Sequence, residues 1–234
     1  MYKKISILFL SLFFSCAELQ QVVNQLPNES LGNNQIALGL REALNFGIDR
    51  QVSRLTQKDG FFKNELVKIL LPEELRKVDK ALRDIGLSKL ADEGLKVLNR
   101  AAEDAVKEAT PIFIDAVKGI TFTDAKGILL GNSNAATEYL KSRTNTALYS
   151  KFNPVIKNSL ERVGATQVWA NIIQKYNSIP LTKNVNPDLP DYVTQEALKG
   201  VYTMIGIEEK EIRTKISSRT TDLLRKVFAL QDRR

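Results

Sequence analysis

From Gln35 the chain repeats its apolar residues at steps of three and four: Ile36, Leu40, Ala43, Leu44, Gly47 and Ile48, then Val52 and Leu55. That period gathers one apolar stripe on an α-helix, which Asp59-Gly60 then interrupts. Phe61 and Phe62 lead into Leu66, Ile69 and Leu70, with a stop at Leu71-Pro72. Pro72-Glu73-Glu74 predicts a helix start, because proline fits the first position and carboxylates suit the positive end of the helix dipole. Gly86 ends that helix and Ser88 caps the next, which runs to about Ala109. Its Ala91, Gly94, Leu98, Ala101 and Ala105 share one face of small side chains, against which another helix can pack closely.

Thr110-Pro111 opens a short apolar helix through Phe113 and Val117. The densest punctuation follows, over residues 120–140. Thr121 and Asp124 have the spacing of a capping box. Gly127 permits a close helix approach, Gly131 and Asn132 end one helix, and Asn134 or Ser133 caps another. This stretch reads as the hinge of the core, beside which a pocket should be sought. Asn153-Pro154 predicts a new helix that Gly164 ends, and Thr166 caps one carrying Val168, Trp169, Ile172 and Ile173. The segment 178–189 is the longest loop. Asp191 precedes a helix to Met204, Gly206 breaks the chain, and Glu208, Glu209 and Glu211 open another helix. Ser217 and Ser218 separate it from a last helix with Leu224, Val227 and Phe228 inward.

No alternation of strand type exceeds four or five residues. The expected fold class is therefore all-α, a single multi-helix bundle of about nine or ten helices over residues 35–234, with no sheet.

Composition narrows the chemistry. The chain has 234 residues, 43% of them hydrophobic and 26% charged, and no histidine. The most usual general base and the commonest transition-metal ligand are both missing. No metal site or cofactor is predicted. The net charge of +7 is spread along the chain without a basic block, which argues against nucleic acid as a partner.

Cys16 is the one cysteine, so no internal disulfide is available. It follows MYKKISILFLSLFFS, two lysines and an apolar run of about ten residues, the layout of a secretory signal peptide over residues 1–15. Such a run is too short to cross a hydrocarbon core of about 30 Å. Ser15-Cys16 resembles a bacterial lipobox. The resemblance implies cleavage before Cys16, acylation of its thiol and new amino group, and a mature charge near +5 once Lys3 and Lys4 are removed. The alternative is a plain signal peptide with an incidental cysteine. Residues 16–34 then form a lipidated N-terminus and flexible tether. Ala17 stands where aspartate would resemble an inner-membrane retention signal, so an outer-membrane location, facing the periplasm, is favoured.

Several stretches together resemble one family, the exported bacterial proteins of domain of unknown function 4197. They are GLREAL with Gly47, DGFF at 59–62, Ile-Leu-Leu-Pro at 69–72, NRAAEDA from Asn99, FTDAKGILLG and AATEYL within 120–140, DLPDYVTQEAL around Tyr192, EEKEIR ending at Arg213, and LLRKVF. The resemblance implies an exported, mostly helical protein and brings no substrate or catalytic residue.

Two functions follow. The first is a non-enzymatic cell-envelope lipoprotein, held at the membrane through Cys16, whose helical domain binds an envelope protein partner or an apolar ligand. The second is a carboxylate-dependent hydrolase, since Asp and Glu can serve as acid and base without histidine. Its candidates are Glu103, Asp124, Glu138 and Asp191, on different predicted helices. For Glu103 and Asp104 the favoured reading is a solvated, salt-bridged face, with Arg100 reaching Asp104 and Glu103 reaching Lys107. A polar core cluster of Asn99, Arg100, Asp124 and Tyr139 is the remaining candidate site.

Two or three acyl chains, at about 0.8 kcal/mol per buried methylene, would make membrane attachment effectively permanent. Cys16→Ser is expected to move the protein from the membrane to the soluble fraction. Undiminished membrane retention of that variant would remove Cys16 as the main anchor.

Overall fold

The computed structural model describes residues 32–71, 88–178 and 188–232, with a few isolated positions between those blocks. The signal peptide, Cys16, most of the tether, the helix start at Pro72 and most of the 178–189 loop lie outside the described residues. Eight α-helices and one short 3-10 turn make up the regular structure of the described residues, and no strand occurs among them. They are α1 (Asn33–Leu55), α2 (Ser88–Val106), α3 (Ala109–Lys118), α4 (Phe122–Leu129), α5 (Ala135–Glu161), α6 (Ala165–Asn177), α7 (Leu189–Thr214) and α8 (Asp222–Asp232).

The all-α class holds; the count of nine or ten does not. Two predicted breaks are absent. Pro154 lies inside α5, because Leu140, Thr144, Leu148, Phe152, Ile156 and Leu160 form one buried stripe that runs through it. Burial of that face outweighs the roughly 3 kcal/mol that an interior proline costs. Gly206 likewise sits within α7. A side-chain Cβ there would lie 3.5 Å from Thr137 Oγ1, an ordinary contact, so the close packing of α5 on α7 leaves room for no more than a small residue. Glu208, Glu209 and Glu211 are consequently interior helix residues.

Other punctuation is as expected. Thr121 Oγ1 accepts from the Asp124 N–H at 3.1 Å and Asp124 Oδ2 accepts from the Thr121 N–H at 3.0 Å, a reciprocal capping box. Gly164, at φ +67°, follows the end of α5 in the left-handed region that glycine adopts without strain. Gly127 differs from expectation, since nothing approaches the position of its missing side chain. The close approaches occur at Gly39, where a Cβ would lie 2.5 Å from Val227 Cγ2 of α8, and at Gly47, 3.1 Å from Glu208 Cγ of α7.

Helix α7 runs through the middle. It packs on α5 most extensively and also on α1 and α2. Val193, Ala197, Val201, Ile205 and Ile212 are buried along it, within one continuous apolar core. Near its axis, between α1, α7 and α8, lies a cavity of about 20 Å³ lined by Leu44, Ile48, Ile205 and Phe228. That volume admits a single water and nothing larger.

Across this core α7 presents one ion pair, Glu209 with Arg213, 8% and 5% exposed. Arg213 Nη2 lies 2.8 Å from Glu209 Oε1. Glu209 accepts from the backbone N–H groups of Ala136 at 2.9 Å and Thr137 at 2.8 Å, and from Thr137 Oγ1 at 2.7 Å. Arg213 donates to the carbonyls of Ile128 at 2.8 Å and Leu129 at 3.0 Å. The anion thus caps the start of α5 and the cation the end of α4, each at the dipole end it complements. Asn134 occupies the N-cap position of α5 but makes no capping bond through its side chain.

Removing one member of a buried pair leaves the other charge unpaired, at about 3–5 kcal/mol. Arg213→Met is expected to lose that much in urea unfolding. Arg225→Met, which removes the exposed pair with Asp222, should lose less than about 1 kcal/mol. Equal losses would show that the buried pair does not hold the helix ends.

Candidate functional site

The segment 59–71 between α1 and the next described helix has no regular structure, only turns and irregular backbone. Asp59 turns the chain with φ +69°, a conformation aspartate tolerates better than most residues. Gly60 is required beside it. A side chain there would lie 2.5 Å from the Arg54 carbonyl oxygen, at the end of α1.

Three residues of α2 then fasten the segment. Arg100 bridges two carboxylates, donating through Nη2 to Asp59 Oδ1 at 2.5 Å and through Nη1 to Glu103 Oε2. Glu103, 3% exposed, accepts the Phe61 N–H at 3.2 Å with its other oxygen. Asn99, fully buried, takes both backbone groups of Ile69: its Oδ1 accepts the Ile69 N–H at 2.8 Å and its Nδ2 donates to the Ile69 carbonyl at 2.9 Å. Phe61 and Ile69 are thereby pressed into the core, Phe61 against Gly200 of α7, where a Cβ would come within 2.8 Å of its ring. From α7, Tyr192 donates its hydroxyl to the Leu70 carbonyl at 2.5 Å.

The electrostatics favour an ionised Asp59. Hydrogen bonding from Lys63, 2.9 Å away, together with the charge of Arg100, holds Asp59 below the usual aspartate value despite opposition from burial. A carboxylate so stabilised is a poor proton donor near neutral pH.

The four candidate carboxylates lie on four helices. Glu103, on α2, holds the backbone of the 59–71 segment. Asp124 caps α4, and its bonds from Thr121 keep its pKa low. Glu138 is exposed on α5. Asp191, in the first turn of α7, accepts from the Tyr149 hydroxyl at 2.6 Å, which pushes Tyr149 up to about 12. Within the candidate polar cluster, Asn99 and Arg100 act together, whereas Asp124 and Tyr139 share a different neighbour. The Arg143 guanidinium lies 5.4 Å from the Tyr139 ring centre, and its charge also lowers Asp124. Arg100 pairs with Asp59 and Glu103, while Asp104 pairs with Lys107 at 2.8 Å. Among the described residues no three carboxylates gather into a metal-binding group, and no helix is long and apolar enough to cross a membrane.

The sequence reading missed Asp59 as the partner of Arg100, and Glu209–Arg213 altogether as an interior pair. The signal for the first was present in the two stretches DGFF and NRAAEDA, which meet here. The stretches FTDAKGILLG, AATEYL and EEKEIR meet in the same way at Glu209–Arg213. These are the stretches that carry the family resemblance, and the family pattern described as a protein of unknown function (DUF4197) matches residues 30–229. The chain belongs to the DUF4197 family. No curated protein and no solved structure matches the chain. Family stretches distant in sequence therefore coincide with the contacts that join the helices.

Open grooves flank the fastened segment. One of about 510 Å³ lies between α2 and the end of α5, lined by Arg100, Lys96 and Arg162 among others. Another, of about 370 Å³, runs between the segment and α7, with Leu66, Leu70, Lys68, Tyr192 and Lys199 on its walls. Leu66 and Leu70 are 66% and 45% exposed.

Asp59 has a folded pKa below its ordinary value near 3.8. Its stabilising contribution is complete above that ordinary value and is lost as the pH falls through the lowered folded value. Asp59→Asn is expected to flatten the acid limb of the stability–pH profile measured by thermal unfolding. An unchanged limb would mean that Asp59 is not a contributor.

Proposed function

We propose that this chain is a non-catalytic cell-envelope lipoprotein, tethered at the membrane through acylated Cys16, whose helical domain binds a protein partner. One observation carries the reading: the buried carboxylates are engaged in fastening backbone or neighbouring helices. Glu103 holds the Phe61 N–H and Arg100, and Glu209 holds the start of α5. Glu208 takes Gln51 at 2.6 Å and Arg50 at 3.1 Å. The oxygens of these carboxylates are taken up by hydrogen bonds that hold the fold together.

The choice of a protein partner over an apolar ligand rests on volume. A lipid-like ligand needs several hundred cubic ångströms of enclosed space, whereas the cavity beside α7 holds about 20 Å³. The larger spaces are open grooves, and large apolar side chains stand exposed beside one of them, as interaction surfaces do. The tether from Cys16 to α1 would give the domain reach above the bilayer.

Photo-crosslinking from an exposed position beside the grooves, such as Glu196 or Lys199, in the intact envelope is the test. Discrete adducts of defined mass that survive Glu103→Gln and Asp191→Asn are the expected outcome. Absence of any adduct across all exposed faces would sink the partner reading. Recovery of a turnover reaction that Glu103→Gln or Asp191→Asn abolishes would replace it with the hydrolase.

A further inference from the structure

Asn99 grips Ile69 as a neighbouring β-strand would. Its one amide accepts from the Ile69 N–H and donates to the Ile69 carbonyl, the two bonds that a paired strand residue exchanges with its partner. The trans, planar peptide then fixes the adjacent groups. The Lys68 carbonyl is antiparallel to the Ile69 N–H, and the Leu70 N–H is antiparallel to the Ile69 carbonyl. Both therefore point away from Asn99. Among the hydrogen bonds of the described residues, neither group has a partner, although Lys68 and Leu70 line the 370 Å³ groove beside α7. The result is a donor and an acceptor at the spacing of a sheet edge, set into a helical protein.

The surroundings of this edge select what can lie along it. Leu66 and Leu70 flank it as exposed apolar surface. Among the described residues, the charged ones lining the same groove are Lys68, Arg76 and Lys199, with one carboxylate, Glu196, which sits 3.4 Å from Lys199. Extended backbone offers the complementary donor and acceptor pair, and its side chains alternate between wall and rim. We propose that the 68–70 edge is a docking site for an extended peptide segment of a partner protein, adding to Ile69 as a strand, with apolar side chains on Leu66 and Leu70 and acidic ones toward Lys68, Arg76 and Lys199. The proposal deepens the partner-binding reading above and rests on it.

The backbone bonds are the same for any extended peptide, so affinity comes from the edge and preference from the cations. The acidic preference is an electrostatic one and weakens as salt is added. Asn99 is a positioning residue: it holds the edge and does not touch the peptide.

The test uses the full chain carrying Cys16→Ser and two fluorescein-labelled ten-residue probes, one alternating leucine with aspartate and one alternating leucine with lysine. Fluorescence anisotropy is expected to show at least tenfold tighter binding of the aspartate probe. Amide NMR shifts should centre on residues 66–71 and the facing turns of α7. Leu70→Pro removes the free N–H while keeping the preceding residue extended, and should weaken the aspartate probe at least tenfold. Lys199→Glu, an exposed change that leaves the fold alone, should narrow the preference between the probes. Equal binding of both probes, no binding of either, or shifts confined to other surfaces would overturn the proposal. So would sedimentation with vesicles of anionic phospholipid in place of peptide binding, which would assign this face to the bilayer. Crosslinked adducts mapping to a different face would leave partner binding standing and remove this edge alone.

Discussion

The fold depends on two helix ends that cannot satisfy themselves. Helix α4 finishes and α5 begins within a few residues, with the carbonyls of one and the N–H groups of the other left inside the protein. Water is excluded there, and an unmet backbone group costs about as much as the hydrogen bonds that build the helix. Glu209 and Arg213, four residues apart on α7, meet both needs at once. Burying two charges is expensive, and their mutual attraction alone would not offset it. What offsets it is that each charge also sits at the helix terminus whose dipole it complements, and that its remaining polar atoms have hydrogen-bond partners.

The same solution recurs on a smaller scale beneath the 59–71 segment. There Asn99, Arg100 and Glu103, all on α2, supply the hydrogen bonds that a helix or sheet would otherwise provide. Phe61 and Ile69 can then fill the core while the backbone that carries them stays irregular. This division of labour explains why Glu103, which drew attention as a possible catalyst, is spoken for. It is buried because the backbone needs it, and Arg100 pairs with it there.

Local chemistry was readable from the sequence wherever the partners lie within a turn of one another. Thr121 with Asp124, Gly164 after α5, and the apolar stripe of α1 all belong to this kind. Pro154 and Gly206 misled because each is a helix breaker by local preference, and only the long buried faces of α5 and α7 override that preference. The long-range bonds were beyond reach for a different reason. Glu209 and Arg213 are visible as a helical pair, but their backbone targets lie 72 to 85 positions earlier in the chain. Nothing in local spacing selects them. The candidate site follows the same pattern: Asn99, Arg100 and Glu103 stood out as a polar run, while the turn they hold, 30 to 42 residues upstream, did not.

That α7 follows α4 and α5 in the sequence has a consequence for the order of folding. Glu209 and Arg213 are made after both helices they join, so the α4–α5 junction cannot be closed until α7 has been synthesised. The two helix ends stay unsatisfied by protein until α7 arrives. For a chain threaded through a membrane before it folds, as the proposed export requires, this order delays completion of the fold.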